Sequence, residues 1–594
     1  MVVNNRRLGA DGLMKKGMHK GLTRYGDDRF ALFLRKTFIK GMGYSDDALD
    51  RPIIGITNTF SAYNACHRTV PEIIEAIQRG VMLAGGLPVE FPIISLHESF
   101  AHPTSMFLRN LMAMDAEEMI RAQPMDAVVL VGGCDKTVPA LLMGAASANV
   151  PAILTVTGPM LTGSHAGERL GACTDCRRLW AMHRAGEIGE REIEELSAKL
   201  VPTAGTCGIM GTASTMAMMS EALGMMLPGG ATIPAVHADR LRHAEATGAR
   251  AVGLASENLT PDKIMTPEAF ANAFRVLLAI GGSTNGLIHM TAVAGRLGID
   301  VDLAAIDHLG HETPVLVDLK PSGRYYMEDL HSAGGLIPVL RELRSLRNSA
   351  CLTVTGRTLS ANLEGMPPSW PQDVVRTLDN PLYPQGGIAV LSGNLAPASA
   401  IIKHSAASPD LLQHTGRAVV FDSLADLAQR IDSDDLDVSP ADVLVLRNAG
   451  PKGAPGMPEA GSIPIPRKLA RQGVKDMVRI SDARMSGTAF GTIVLHVSPE
   501  AAVGGPLALV RNDDTIRLDV PARRIELLLE NDELRARRDQ WSPPPAHPGS
   551  DRGYLKLFVD HVQQADKGCD FDFLVKTQRP TEPRKNTPVF PRAR

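Results

Sequence analysis

No apolar run in this 594-residue chain approaches the ~20 residues that a bilayer-spanning helix needs. The opening stretch, MVVNNRRLGADGLMKKGMHKG, has no apolar segment of the kind a secretory signal carries. Asp11, Asp27 and Asp28 come too early for an Arg-rich, acid-poor transit peptide. Aromatic residues make up only 4 %, too few for the stacking platforms that hold single-stranded nucleic acid. Neither charge sign dominates: 62 Lys and Arg stand against 65 Asp and Glu, a net charge of −3, so there is no electrostatic footprint for phosphate backbones. Cysteine is sparse as well, with 7 in the whole chain, which excludes a disulfide framework. These absences predict a cytoplasmic protein with no nucleic-acid or membrane partner.

What is present is an ordinary globular composition, 44 % hydrophobic and 21 % charged, on a chain long enough for two large domains. In the first half, short apolar runs at 52–57, 91–95, 126–131 and 152–156 alternate with amphipathic stretches. In residues 71–84, Ile73, Ile74, Ile77 and Val81 recur at helical spacing. Alternating strands and helices predict a mostly parallel sheet covered on both faces. Beyond about residue 380 the pattern shifts to short β-type runs at 387–391, 418–421, 443–446, 478–481, 492–497, 508–510, 515–520 and 525–529. Many of these are separated by turn residues rather than full helices. The expected fold is α/β: an N-terminal, mostly parallel α/β domain (1–380) and a C-terminal β-rich, barrel-like domain with flanking helices (381–594). Residues 364–380 read as a linker and 576–594 as a surface arm.

The chemistry concentrates where strands run into loops. Val128–Val131 leads through Gly132 and Gly133 into Cys134, Asp135 and Lys136, placing a thiol, a carboxylate and an amine in a row. Ligand sites of open α/β sheets lie beyond such strand ends. A soft sulfur beside a hard oxygen suits two different metals. A capped turn with a buried cysteine is the ordinary counterpart; a phosphate loop fails because Lys136 follows Asp135 rather than Gly. Cys66 and Cys207 also lie in loops ahead of helical stretches, where a helix N-terminus stabilises thiolate. Three such thiols could hold an iron–sulfur cluster with one iron short of a cysteine. An electron-transfer cluster has a full thiolate set, whereas an open iron can act as a Lewis acid.

Cys134–Gly144 (CDKTVPALLMG) and Ile480–Gly491 (ISDARMSGTAFG) resemble the signatures of the dihydroxy-acid and sugar-acid dehydratases. So do Gly281–Asn285 (GGSTN), Gly450–Met457 (GPKGAPGM) and Ser498–Pro506 (SPEAAVGGP), in family order over nearly the whole chain. The resemblance implies that Cys66, Cys134 and Cys207 bind a cluster, of the 2Fe-2S type because Cys66 is present. It further implies a Mg²⁺ site from Glu98, Asp135, Glu459 and a carbamylated Lys136, and Ser486 as catalytic base. A carbamate would convert the lysine cation into the hard oxygen donor that Mg²⁺ takes. The implied reaction removes water from a 2,3-dihydroxy acid, giving a 2-keto-3-deoxy acid, in a homodimer or homotetramer.

Each implied role has a plain counterpart: a solvated loop acid for Glu98, a flexible surface acid for Glu459, a turn for Ser486. The CxxC pair Cys173 and Cys176 lacks a second such pair or nearby histidine ligands and reads as incidental. Cys351 and Cys569 read as structural, and the Met-rich stretch 216–226 as core filler. Ser481–Thr488 (SDARMSGT) is similar to the pentonate and hexonate dehydratases, so an aldonic acid such as arabinonate, xylonate or gluconate is the expected small-molecule substrate. Val236–Arg240 and Tyr326–His331 look closer to the branched-chain group, which keeps 2,3-dihydroxy-isovalerate as the alternative. Two other readings remain at this stage: an iron–sulfur sensor using Cys173 and Cys176, and a Mg²⁺-dependent dehydratase without a cluster.

Overall fold

The computed structural model describes residues 16–576. Four strands, β1 (Ile53–Asn58), β2 (Leu87–Pro92), β3 (Ala127–Gly132) and β4 (Ala152–Val156), form a sheet in the order β2-β1-β3-β4. Every pair in it is parallel. β3 and β4 are buried along their whole length, as their unbroken apolar runs require when helices cover both faces. The helix Val70–Leu83 starts with Pro71 in its first turn, where the missing N–H is harmless, and buries Ile73, Ile74, Ile77 and Val81. The Met-rich helix Thr212–Ala222 buries Met216, Met218 and Met219 completely, confirming core filling.

A short hairpin, β5 (Gly163–His165) with β6 (Glu168–Leu170), leads into the helix Thr174–Ala185. The second half carries β7 (Ala389–Leu391), β8 (Ser399–Ile402), β9 (Gln413–Phe421), β10 (Val443–Leu446), β11 (Arg479–Ser481), β12 (Ile493–Ser498), β13 (Thr515–Asp519) and β14 (Arg524–Leu527). Their order is β14-β13-β9-β10-β11-β12-β8-β7. β9 to β12 are parallel and the flanking pairs antiparallel. The two edges meet just beyond β7: Ser392 donates to the Arg523 carbonyl at 3.0 Å, and Ile525 donates to the Ser392 carbonyl at 3.1 Å. Closure removes the exposed edges, and the expected barrel-like sheet is present.

Several boundaries differ from the sequence reading. β2 begins at Leu87 rather than at 91, because an edge strand tolerates Pro88 and Pro92, whose missing N–H groups face no partner. β9 extends back to Gln413, since its first half is a partly exposed ribbon paired with β13. Residues 508–510 are not a strand; Pro506 opens a 3-10 turn, Pro506–Leu509. β8, rich in small residues, and the β5–β6 hairpin escaped notice. The stretch read as a linker, 364–380, is strapped onto the first half: the Val374 carbonyl accepts from Asp318 N–H at 2.8 Å, and Arg376 N–H donates to the Leu316 carbonyl at 2.7 Å. Of the expected arm, only Lys576 is described, its N–H bonded to the Gly295 carbonyl at 3.1 Å; the rest lies outside the described residues. No helix among the described residues is long and apolar enough to cross a membrane.

Candidate active site

The carboxyl ends of β1, β2 and β3 deliver one set of side chains. β1 is followed by a loop that ends in the 3-10 turn Ala65–His67, which holds Cys66. β3 runs through Gly133 into Cys134, Asp135 and Lys136, directly ahead of the helix Thr137–Ala148. Gly133 is required here, because a Cβ would meet Thr157 Oγ1 at 1.9 Å. His67, fully buried, places Nε2 3.2 Å from Thr137 Oγ1, and this nitrogen accepts from the Cys134 N–H at 3.1 Å while Nδ1 donates to the Thr59 carbonyl, locking the two cysteine loops together. His97, from the loop after β2, joins them: the donor atoms of Cys66, His97 and Cys134 all lie within 4.8 Å of one another.

A second thiol pair adjoins the first. Cys207, in the loop ahead of the helix Thr212–Ala222, has its Sγ 3.3 Å from Cys173 Sγ. Cys173 caps the helix Thr174–Ala185 and is hydrogen-bonded to Cys176 as well. Folding thus carries Cys173 of the CxxC, read as incidental, to Cys207. A hydrogen bond from Cys134, with His97 beside it, draws Cys66 down to about 7 despite burial, while Cys134 is pushed up by the same bond and by burial. His97 is raised by its hydrogen bond to Cys66. Cys351 and Cys569 are buried away from this group, Cys351 accepting from Asn272 Nδ2 at 3.4 Å, as expected of structural cysteines.

The carboxylates lie on the other side. His97 and Glu98 are neighbours that part company, His97 toward the thiols and Glu98 toward Lys136; Cys134 and Asp135 divide in the same way. Lys136 Nζ, completely buried, lies 3.4 Å from Glu98 Oε2 and 3.5 Å from Asp135 Oδ2, yet makes no hydrogen bond. Arg484, also fully buried, spans two acids: Nη2 reaches Glu98 Oε1 at 2.8 Å and Nη1 reaches Glu459 Oε1 at 2.5 Å. Glu98 also accepts from Thr104 Oγ1 at 2.9 Å and from the Ser105 hydroxyl. Burial opposes its charge, but Arg484 and Lys136 together with those hydroxyls hold the Glu98 carboxyl well below the usual range. Burial raises Glu459, Arg484 only partly offsetting it. Neither acid is a free surface group, which removes the plain counterparts weighed for them.

Ser486 sits in the loop between the parallel neighbours β11 and β12, 8 % exposed. Its Oγ lies 2.8 Å from Thr488 Oγ1 and accepts a longer bond from the Thr488 N–H at 3.4 Å. The loop presses on Gly281–Asn285: a Cβ on Gly487 would meet Ser283 Cβ at 2.5 Å, and Asn285 Nδ2 donates to the Met485 carbonyl at 3.1 Å. Behind the serine, buried Lys403 donates to the Gly487 carbonyl at 3.3 Å, and burial pushes its ammonium down to about 7. Thr174 Oγ1 donates to the Thr488 carbonyl at 3.0 Å, tying the Cys173 helix to the serine loop. The structure thus gathers all eight sequence-derived candidates about one site and adds three residues given no role from the sequence, His97, Arg484 and Lys403, together with Cys173, read there as incidental. The signals were faint. His97 adjoins Glu98 and Arg484 lies inside a quoted motif, but neither has a spacing that announces a role.

The residues fit two kinds of inorganic group. Thiols with one imidazole form a soft pocket, and the carboxylates around the hydrogen-bond-orphaned Lys136 amine form a hard one.

Comparison with known proteins agrees with this arrangement. Residues 51–362 match the family model described as dihydroxy-acid/6-phosphogluconate dehydratase N-terminal, and residues 373–569 its C-terminal counterpart. The chain is 50 % identical over 558 residues to an L-arabonate dehydratase of Azospirillum brasilense, covering 92 % of this chain and 95 % of that one. It is 48 % identical over 553 residues to an L-arabinonate dehydratase of Rhizobium leguminosarum bv. trifolii, covering 93 % and 95 %. A dihydroxy-acid dehydratase of Caldanaerobacter subterraneus is more distant, 40 % identical over 544 residues, covering 90 % and 96 %. The paired thiol and carboxylate pockets, the serine loop between β11 and β12, and these matches lead to one conclusion: the chain belongs to the dihydroxy-acid/6-phosphogluconate dehydratase family, and it is a hydro-lyase.

Proposed function

We propose that this enzyme dehydrates a pentonate, L-arabinonate first among the candidates, to the 2-keto-3-deoxy acid, with Ser486 as base. The observation that carries the reading is the placement of Ser486, on the loop whose Arg484 grips both Glu98 and Glu459, beside a pocket of thiols. Cys66, Cys134 and Cys207 would hold a 2Fe-2S cluster, and Glu98, Asp135, Glu459 and Lys136, the last as a carbamate, would hold Mg²⁺. When bound, the cluster supplies a Lewis-acid iron for the departing hydroxyl and Mg²⁺ supplies charge for the acid's oxygens. The buried Lys136 Nζ lies between Glu98 and Asp135 without a hydrogen bond, and a carbamate there would turn that cation into an oxygen donor beside the two acids.

Ser486 removes the proton at C2, the hydroxyl at C3 leaves as water, and the enol tautomerises to the ketone. A serine hydroxyl is a weak base, so its surroundings must favour the ionised oxygen. Thr488 supplies a hydrogen bond at 2.8 Å and Lys403 supplies positive charge one residue away, at Gly487. The parallel β-sheet part (1–380) contributes the metal ligands apart from Glu459, and the barrel part (381–594) contributes the base. A cytoplasmic dimer or tetramer suits such a metabolic enzyme. The pentonate is preferred over 2,3-dihydroxy-isovalerate because the arabinonate relatives stand at 50 % and 48 % identity and the dihydroxy-acid relative at 40 %.

An anaerobic 2-keto acid assay with Mg²⁺, run across pentonates, hexonates and 2,3-dihydroxy-isovalerate, tests the reading. Turnover of a pentonate at least ten times faster than of the branched-chain acid supports it. The reverse ratio overturns the substrate assignment.

A further inference from the structure

The thiol pocket contains one more cysteine than the proposed cluster needs. Cys66 and Cys134 form one pair, their sulfurs within 4.8 Å of each other beside His97. Cys173 and Cys207 form another, with 3.3 Å between sulfurs. Two sulfurs on one tetrahedral metal at ~2.3 Å stand roughly 3.8 Å apart, so the second pair is already near the spacing of two ligands on a single metal. Two thiol pairs are also the complement of a fully ligated 2Fe-2S cluster, which takes four cysteines.

Both loops are anchored by hydrogen bonds, so this approach does not depend on a loose segment. The Cys207 loop is fixed by Thr206, whose N–H donates to the Gly158 carbonyl at 2.9 Å and whose carbonyl accepts from Met160 at 2.8 Å. The Cys173 turn is fixed by buried Asp175, which accepts from the Gly171 N–H at 2.7 Å, and by Thr174 on the Thr488 carbonyl at 3.0 Å. That last bond joins the Cys173 turn to the loop of the proposed base.

We propose that Cys173 is a fourth thiol ligand of the iron–sulfur site, held while the active site is empty and released when a hydroxy acid binds. The exchange is not a redox step. The Cys173 sulfur leaves with its electron pair and takes a proton from solvent, and the acid's hydroxyl takes the vacated position. Such an arrangement shields the exposed iron between turnovers and couples acid binding to movement of the Thr174–Ala185 helix. The proposal rests on the cluster reading given above.

The test uses anaerobically purified holoenzyme in the Ser486→Ala background, so that added L-arabinonate binds without turnover. Mössbauer spectra are recorded with and without the acid, alongside Cys173→Ala and Cys176→Ala versions and iron and sulfide counts. Without acid, the parent is expected to show two equivalent all-sulfur irons, and Cys176→Ala to match it. Adding the acid should convert one iron to a distinct site, and Cys173→Ala should show that distinct site from the start. Removing the competing thiol should also tighten the acid titration severalfold. A parent spectrum that already shows two inequivalent irons without acid overturns the Cys173 role and leaves the cluster reading intact. A preparation without iron or sulfide overturns both.

Discussion

The thiol pocket and the carboxylate pocket share two dipeptides, yet they are built differently. Cys134-Asp135 and His97-Glu98 each give one soft and one hard side chain, so a single backbone feeds both sides. Beyond that, the thiol side draws only on the first half of the chain. The carboxylate side is completed from the second half, by Arg484 and Glu459. The thiols satisfy one another by sharing protons; the acids need a buried cation, and Arg484 provides it across 386 positions of sequence. The lesson is that the soft side can form within one sheet, while the hard side exists only when the barrel docks against it.

The largest expected effect breaks the soft side. Cys134→Ser is expected to abolish the iron content and colour of the anaerobic protein, while far-ultraviolet circular dichroism stays unchanged, because the turn around residue 134 is held by backbone and His67 contacts. Next comes the base: Ser486→Ala should cut turnover by about 10²–10⁴-fold with iron content preserved, read by keto-acid formation and iron assay. Arg484→Met sharpens the contrast, since it strands two buried acids. It should destabilise the fold by about 3–5 kcal/mol in chemical denaturation, and added Mg²⁺ should restore part of the loss.

Lys403→Met gives a smaller and two-sided effect. Turnover should fall about 10- to 100-fold, on the scale of one lost electrostatic contact in an active site. Stability should move the other way. Burial lowers this ammonium from 10.5 to about 7, so the folded protein disfavours the charge. The resulting penalty is complete below about pH 7 and fades as pH rises toward 10.5, where the unfolded chain also loses its proton. The variant should therefore unfold at a higher temperature than the parent at pH 6.5, with the gap shrinking by pH 9.5 in thermal melts.

The parallel sheet was legible because β1, β3 and β4 are unbroken apolar runs, and Cys134 because it ends one of them. Cys66 and Cys207 stood out by their place in loops ahead of helical stretches, and Glu459 and Ser486 through family resemblance rather than spacing. The approach of Cys173 to Cys207 was not legible because 34 residues separate them, and only tertiary folding makes them neighbours. Lys403 gave no signal at all: a lysine after a short apolar run reads as a solvated strand end, and only burial distinguishes it. β2 was misplaced because its prolines look like strand breakers until the strand is known to lie at an edge.

The most direct measurement compares wild-type enzyme with Ser486→Ala, both anaerobic, both with Mg²⁺ and matched iron content, on L-arabinonate. Wild type should release a 2-keto-3-deoxy acid while the iron-loaded variant releases almost none. Equal rates from the two proteins would contradict the account.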